Sequence, residues 1–544
     1  MRRILFLAFL SALSLPIQAK TDPTPLEQIP IQEGGRKKPF LVFAEESLLS
    51  LAGKKSVPWN PSQLNAMEFI THIWLQPDGW QNWHIILLNN KPLKELLGLD
   101  TKRKLFSYSE LVSNQKLKNL LAQATAIRNR PGNNRLTGLS KEAADVGLRL
   151  SLLEELASGD AFTLVPHPTN PDGAWAPLPP SDLQLLRTAW ISGNSTTFSK
   201  AVRELSTKLS QISPDFYPPT WKIQLETLYQ KSHPVRVAWI LYLATAILLF
   251  AAFNSSLAWR IAWFLVSLGF LAQISGFIAR MIISGRPPVT NMYESVIWVA
   301  FGTILFAILF QLISKSKIIL PSALPVVIAA LILADSLPQS LSRSITPLMP
   351  VLRDNFWLTT HVLTITISYA AFALALGISH WALGSIILGR KPSAAIYNSI
   401  YRCLQAGVTL LTTGTILGAV WANYSWGRFW DWDPKEVWAL VALLSYLIVL
   451  HGRIAGNWGG FGLAVGSVLC FLTVLMAWYG VNFVLGIGLH SYGFGSGGVT
   501  YAALFSAIQL IFVAIAILRK MQLDRSTPLP HSATSTRLPT LTSS

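Results

Sequence analysis

The chain has 544 residues, 51% of them hydrophobic and 13% charged, with a mean hydropathy of +0.41 and a formal net charge of +17. That is a membrane-protein composition, unevenly spread, and the positive balance does not indicate a nucleic-acid partner, since no basic run alternates with aromatics in a soluble segment. The two cysteines, Cys403 and Cys470, fall in apolar stretches, and neither a CxxC nor a CxxCH motif occurs, which excludes a thiol oxidoreductase and a c-type cytochrome.

The start, "MRRILFLAFLSALSLPIQAK", joins two arginines to an apolar stretch and a small residue at Ala19. Residues 1–19 fit a cleavable secretory signal, with an uncleaved anchor as the alternative. Residues 40–230 have soluble character and form an expected extracytoplasmic domain. Within it "PFLVFAEESLLSLAG", "SQLNAMEFITHIWL" and "SKEAADVGLRLSLLEELAS" carry helical periodicity, with Ser140 as a cap, and "AFTLVPH" reads as a short strand. His72, His84 and His167 lack metal-ligand spacing and read as surface or packed residues.

From 234 to 520 the sequence predicts about nine membrane spans, near 235–253, 258–278, 292–313, 318–336, 358–388, 403–421, 436–453, 459–481 and 499–518. The expected fold class is an all-α polytopic membrane protein preceded by a mainly helical exported domain. Starting outside, the turns at Arg260, Lys315 with Lys317, Arg390 with Lys391, and Arg453 become cytoplasmic, in line with the positive-inside tendency. Arg280, Arg286, Arg343, Arg353 and Arg428 fall outside, so the signal and the charge bias set the orientation jointly. Residues 521–544 form a polar tail, expected to be disordered on the cytoplasmic side.

This topology gathers several residues on the outer face. The segment "WANYSWGRFWDWDPKEVWAL", 421–440, connects spans six and seven and holds Trp421, Trp426, Trp430, Trp432 and Trp438. An interfacial belt accounts for some of the twenty tryptophans. Five in one connection suggest a shelf for a flat conjugated ligand, such as a planar macrocycle. Asp433 and Glu436 either begin span seven as caps or orient N–H groups around the ligand, and the residue types leave both roles open. His361, at the outer start of span five, and His490, outside after span eight, could approach opposite faces of a porphyrin as a bis-histidine haem site. His451 lies about fifteen residues, roughly 22 Å, into span seven, and His380 lies inside span five. Intramembrane histidines are functional candidates by default, with His380, His233 or a partner protein as the second ligand for His451.

The motif "WGRFWDWDPKEVWAL" (Trp426 to Leu440) resembles the tryptophan-rich WWD signature of haem-handling proteins. "GRPPVTNMYES" (Gly285 to Ser295), "HVLTITISYAAF" (His361 to Phe372) and "NFVLGIGLHSYGF" (Asn482 to Phe494) resemble the CcsA/ResC branch, the membrane subunit of the System II cytochrome c synthase. The resemblance covers 235–520. It implies that His361 and His490 are axial ligands to haem b in transit and carry the catalytic role, and that His451 ligates haem on its way across the membrane. It further implies a haem lyase working with a CcsB/ResB-like membrane partner on apocytochrome c, with a thioredoxin-like thiol reductase upstream, in the bacterial inner membrane with the site on the periplasmic side. No cluster of spans precedes the soluble domain, so a separate CcsB/ResB-like partner is expected. Two other readings stand beside this one: a CcmC-like haem carrier without ligation activity, and a haem-b electron-transfer subunit using His380 and His451.

Overall fold

The computed structural model describes residues 21–59, 62–130, 136–337, 341–348, 350–485 and 498–526. Two compact units share the chain: Met1–Pro234 with Ile274–Arg286 and Ser342–Pro350, and Val235–Gln273 with Pro287–Leu341 and Val351–Ser544.

The first unit is mainly helical, and its four described sheets have two strands each. Strands β1 (Pro30–Glu33) and β2 (Arg36–Pro39) pair antiparallel around Gly34 and Gly35, at φ 57° and 77°. Two successive left-handed residues are what a tight hairpin requires, and glycine adopts them without a Cβ clash. Helix α1 (Phe40–Ala52) follows, and α2 (Ala66–Leu75) starts with a reciprocal capping box between Asn65 and Glu68. Both were expected from periodicity, as was the helix Gly138–Ser158. That helix begins at Gly138 behind an extended Thr137, so Ser140 lies within its first turn rather than capping it. Leu139 packs against the core, which draws the helix start back. The core is aromatic: Trp74 stacks on Phe162 at 4.4 Å, and Phe40 lies 5.7 Å from Trp74. "AFTLVPH" supplies the strand Thr163–Val165.

Lys38 on β2 is buried, with its ammonium between the carboxylates of Glu33 and Glu46. Burial alone would lower its pKa, but the charges of Glu46 and Glu33 outweigh that and the net shift is upward.

Among the described residues, nine helices are long and apolar enough to cross a membrane. Spans one to four are Pro234–Ala252, Ser256–Ser284, Met292–Ser314 and Ile319–Ser336. Span five runs Asn355–Ile387, six Ala394–Trp426, seven Pro434–Ile454, eight Gly460–Leu485 and nine Val499–Arg525. The chain is therefore an all-α polytopic membrane protein with a helical N-terminal region, as expected.

Span five is the axis of the second unit, packing against spans three, four, six, eight and nine. Its small residues, including Ser368, Ala370, Ala371, Ala373, Ala375, Gly377 and Ser379, are buried and let neighbouring backbones approach closely. At Gly377 a Cβ would sit 2.2 Å from the Ser322 carbonyl oxygen of span four. Phe372 stacks on Tyr446 of span seven at 3.8 Å, in a space that Gly407 of span six leaves open.

Replacing Gly377 by alanine should force spans four and five apart and destabilise the protein by about 1–3 kcal/mol, lowering its melting temperature in detergent. Lys38→Met should weaken the N-terminal unit by about 1–3 kcal/mol, measured as faster hydrogen exchange across residues 30–52 of the full-length protein. Because the folded pKa of Lys38 lies above its ordinary 10.5, the wild-type contribution is full below that pH and is lost as pH rises through the folded value. The variant should lack this alkaline step.

Candidate functional site

Span six continues through the first six residues of the aromatic signature. Trp421, which is buried, and Trp426 occupy its final turns, and the helix stops only at Gly427, which takes φ 72° and donates its N–H to the Asn423 carbonyl at 2.9 Å. Gly427 is the first residue that adopts the left-handed cap without strain. Only Trp430 and Trp432 therefore lie in the connection, while Trp438 sits on the second turn of span seven. This corrects the expectation that one loop holds all five rings.

The carboxylates build the start of span seven. Asp433 Oδ1 accepts from Lys435 N at 2.9 Å, and Glu436 Oε2 accepts from Asp433 N at 3.2 Å and from Asp431 N at 2.9 Å. With Pro434 in the first helical position, this is a complete capping box. Of the two roles left open by sequence, capping is realised for both residues, and Glu436 also faces the cleft described next. Asp431 pairs with Arg428.

The cleft lies at this end of the membrane unit and contains about 1400 Å³ of atom-free space, some of it open to solvent. Its walls are the start of span five (Leu358, His361, Ile365), the end of span six (Gly418, Trp421, Trp426), the connection (Phe429, Trp430), the first turns of span seven (Lys435, Glu436) and the end of span eight (Trp478, Asn482, Phe483). The turn before span three closes the remaining side with Val289 to Met292 and Ser295. There Asn291 and Glu294 cap span three: Asn291 Oδ1 accepts from Glu294 N at 2.8 Å, and Glu294 Oε2 accepts from Thr290 N at 2.7 Å. Trp478 Nε1–H donates to Ser295 Oγ at 2.9 Å and ties this turn to span eight.

His361 sits in a π-helical turn, Leu358–Val362, and its Nδ1 lies 2.8 Å from the carbonyl oxygen of Gly414 on span six. A carbonyl only accepts, so Nδ1 carries the proton and the lone pair of the neutral ring is on Nε2. Gly414 and Gly418 form a GxxxG pair one helical turn apart. A Cβ at Gly418 would meet His361 Cε1 at 2.5 Å, so the ring occupies the space that glycine leaves. Trp421 flanks the ring at 5.7 Å and itself stacks on Trp357 at 6.4 Å.

The remaining candidates are dispersed. Trp432 is 73% exposed, holds φ 56° and lies edge-on to Trp430 at 5.9 Å, outside the cleft lining. Trp438 is half-buried and also outside the lining. His490 lies outside the described residues. His451 is exposed in the last turn of span seven, where Nδ1–H donates to the Leu447 carbonyl at 2.7 Å, so it belongs to the far end of the helix beside Arg453. His380 donates Nδ1–H to Leu376 O at 2.8 Å, and its Nε2 lies 2.7 Å from the Gln509 amide. His233 occupies the bend before span one at φ 45°.

Sequence reasoning missed Lys435, Trp478, Asn482 and Gly418 as parts of the site. The available signals were a lysine and an asparagine in apolar helices and the GxxxG spacing.

A sequence profile described as cytochrome c assembly protein matches residues 289–490, a range that contains every residue lining the cleft. Protein NrfI of Wolinella succinogenes is 28% identical over 495 residues, which is 85% of this chain, and this chain spans 53% of that protein's length. The CcsA cytochrome c biogenesis proteins of Prochlorococcus marinus (strain NATL2A) and Parasynechococcus marenigrum (strain WH8102) are 35% and 34% identical over 271 and 289 residues. These alignments take in 43% and 47% of this chain and 84% and 94% of the two CcsA proteins. Sharing that much sequence across nearly whole CcsA proteins, the chain belongs to the CcsA/ResC family of cytochrome c biogenesis proteins.

Proposed function

We propose that the cleft holds haem b as a substrate in transit and presents it for covalent attachment to apocytochrome c. His361 supplies one axial imidazole through Nε2 and His490 the other. The observation that carries this reading is the Nδ1–H bond of His361 to Gly414: histidines that bind metals commonly donate the second ring N–H to a carbonyl, which fixes the tautomer and orients the ring. Trp421, Trp426 and Trp430 form the flat wall, Trp432 and Trp438 extend it at the rim, and Asp433 and Glu436 hold the shelf in place. His451, at the opposite end of span seven, is an earlier station for the same haem.

The chemistry asked of the protein is positioning. Each thiol of a CxxCH motif adds across a vinyl group, sulfur to one carbon and hydrogen to the other, with no net oxidation. A held porphyrin edge converts a bimolecular encounter into an oriented one. The chain acts in this reading as a haem lyase subunit with a CcsB/ResB-like partner in the bacterial inner membrane. The cleft faces the periplasm, where a thioredoxin-like reductase keeps the client thiols reduced. The electron-transfer reading is disfavoured because His380 already uses both ring nitrogens, on Leu376 and Gln509.

The test is co-expression of the chain, its membrane partner and an exported CxxCH reporter in cells lacking their own maturation system. Haem should become covalently bound to the reporter, and His361→Ala should reduce both this product and the haem purified with the protein at least roughly tenfold. Haem-loaded protein that never yields a haem-bearing reporter would select the carrier reading. Gly418→Val should displace the His361 ring and lower haem content by roughly tenfold or more, whereas Gly384→Ala, in open space on span five, should leave it unchanged.

A further inference from the structure

A lysine also lines the cleft. Lys435 is the second residue of span seven; its backbone N–H belongs to the cap, while its Nζ lies 3.3 Å from Asn482 Oδ1 on span eight. Asn482 is oriented in turn, its Nδ2 donating to the Trp478 carbonyl at 3.2 Å. Both residues line the cleft, alongside Trp430 and Phe483. Among the described residues no carboxylate reaches salt-bridge distance of Nζ. The nearby acids are engaged elsewhere, Asp433 and Glu436 on backbone N–H groups and Asp431 on Arg428. With a neutral amide as its hydrogen-bond partner and Asp433 acting on it only through space, an ammonium in this enclosed cleft gains from an anion that joins it.

We propose that Lys435, oriented by Asn482, is the anion anchor of the cleft and receives a carboxylate of the bound substrate; on the haem reading, upon which this rests, the carboxylate is a propionate. The anchor supplies what ligation and stacking do not. An axial imidazole leaves a porphyrin free to rotate about the iron–nitrogen axis, and a flat wall does not stop that rotation. A fixed cation near the rim stops it. Haem carries its propionates on one edge and its vinyl groups toward the other, so holding a propionate at spans seven and eight turns the vinyl edge away from Lys435. Lys435 and Asn482 are thus positioning residues that set which edge meets the incoming thiols.

The test compares haem with haem dimethyl ester, whose propionates carry no charge, by Soret titration of the full-length protein in detergent. Wild type should bind haem roughly tenfold more tightly than the ester. Lys435→Met should abolish that preference by weakening haem alone, Lys435→Arg should retain part of it, and Asn482→Ala should fall between. Size-exclusion profiles identify any variant that fails to fold, and the arginine variant keeps the proposal testable in that case. Equal affinity of wild type for the two porphyrins, with His361→Ala still weakening both, would overturn the anchor and leave the haem site standing. If His361→Ala changed the binding of neither porphyrin, the haem site itself would be wrong and the anchor would fall with it.

Discussion

The 2.8 Å hydrogen bond from His361 Nδ1 to the Gly414 carbonyl joins two spans at the point where the cleft begins. In an α-helix the carbonyl of Gly414 is the acceptor for the N–H of Gly418, so one helical turn provides both the oxygen that orients the imidazole and the missing side chain that admits it. That carbonyl uses its second lone pair for His361, which satisfies a polar group in apolar surroundings without breaking the helix. Any side chain at Gly418 would cost the ring its seat and the bond together. The orientation of His361 is therefore a property of span six as much as of span five.

Among the described residues backbone irregularity gathers at the cleft, with Pro325 inside span four as an exception. Through most of the unit the helices are regular, as they must be where no water can satisfy a freed amide. The two π-helical segments, Leu358–Val362 and Met476–Leu485, both contribute walls to the cleft. A π turn accommodates an extra residue while keeping its backbone groups paired, so it re-aims side chains without exposing amides. The capped starts of spans three and seven serve the same end: Asn291 with Glu294, and Asp433 with Glu436, satisfy the N–H groups that a helix terminus leaves open beside the cavity.

Much of this was legible in the sequence, because long apolar runs leave the chain no alternative to spanning helices and all nine predicted spans are found at their expected places. The family was legible too, since its motifs are short and dense in rare residues. What the sequence concealed was where helices end. "WANYSW" has no residue that compels a stop before Gly427, so the boundary of span six came out five residues too early. His451 reads as intramembrane on a count from the start of span seven, and that count does not tell that it stands in the helix's last turn. Gly418 was invisible because its effect is an absence, felt only by a ring on another helix. The end of span two and the segment 342–350 group with the N-terminal unit through contacts such as Arg280 with the Arg343 carbonyl, a pairing 63 residues apart that no local pattern announces.

The charges of the signature show how far composition can mislead about a field. Residues 421–440 contain two basic side chains, Arg428 and Lys435, and three acidic ones, Asp431, Asp433 and Glu436, a formal balance of minus one. Counted that way, the segment should repel an anionic ligand. Its geometry shows where each of those charges is spent. Asp433 and Glu436 turn to the amides at the positive end of the span-seven helix dipole, and Asp431 is matched by Arg428. Lys435 is left facing the cavity with a neutral amide. Two of the three carboxylates build the capping turn and the third pairs with Arg428, so the acidic residues that first suggested ligand contacts are held within the signature itself while Lys435 lines the cavity.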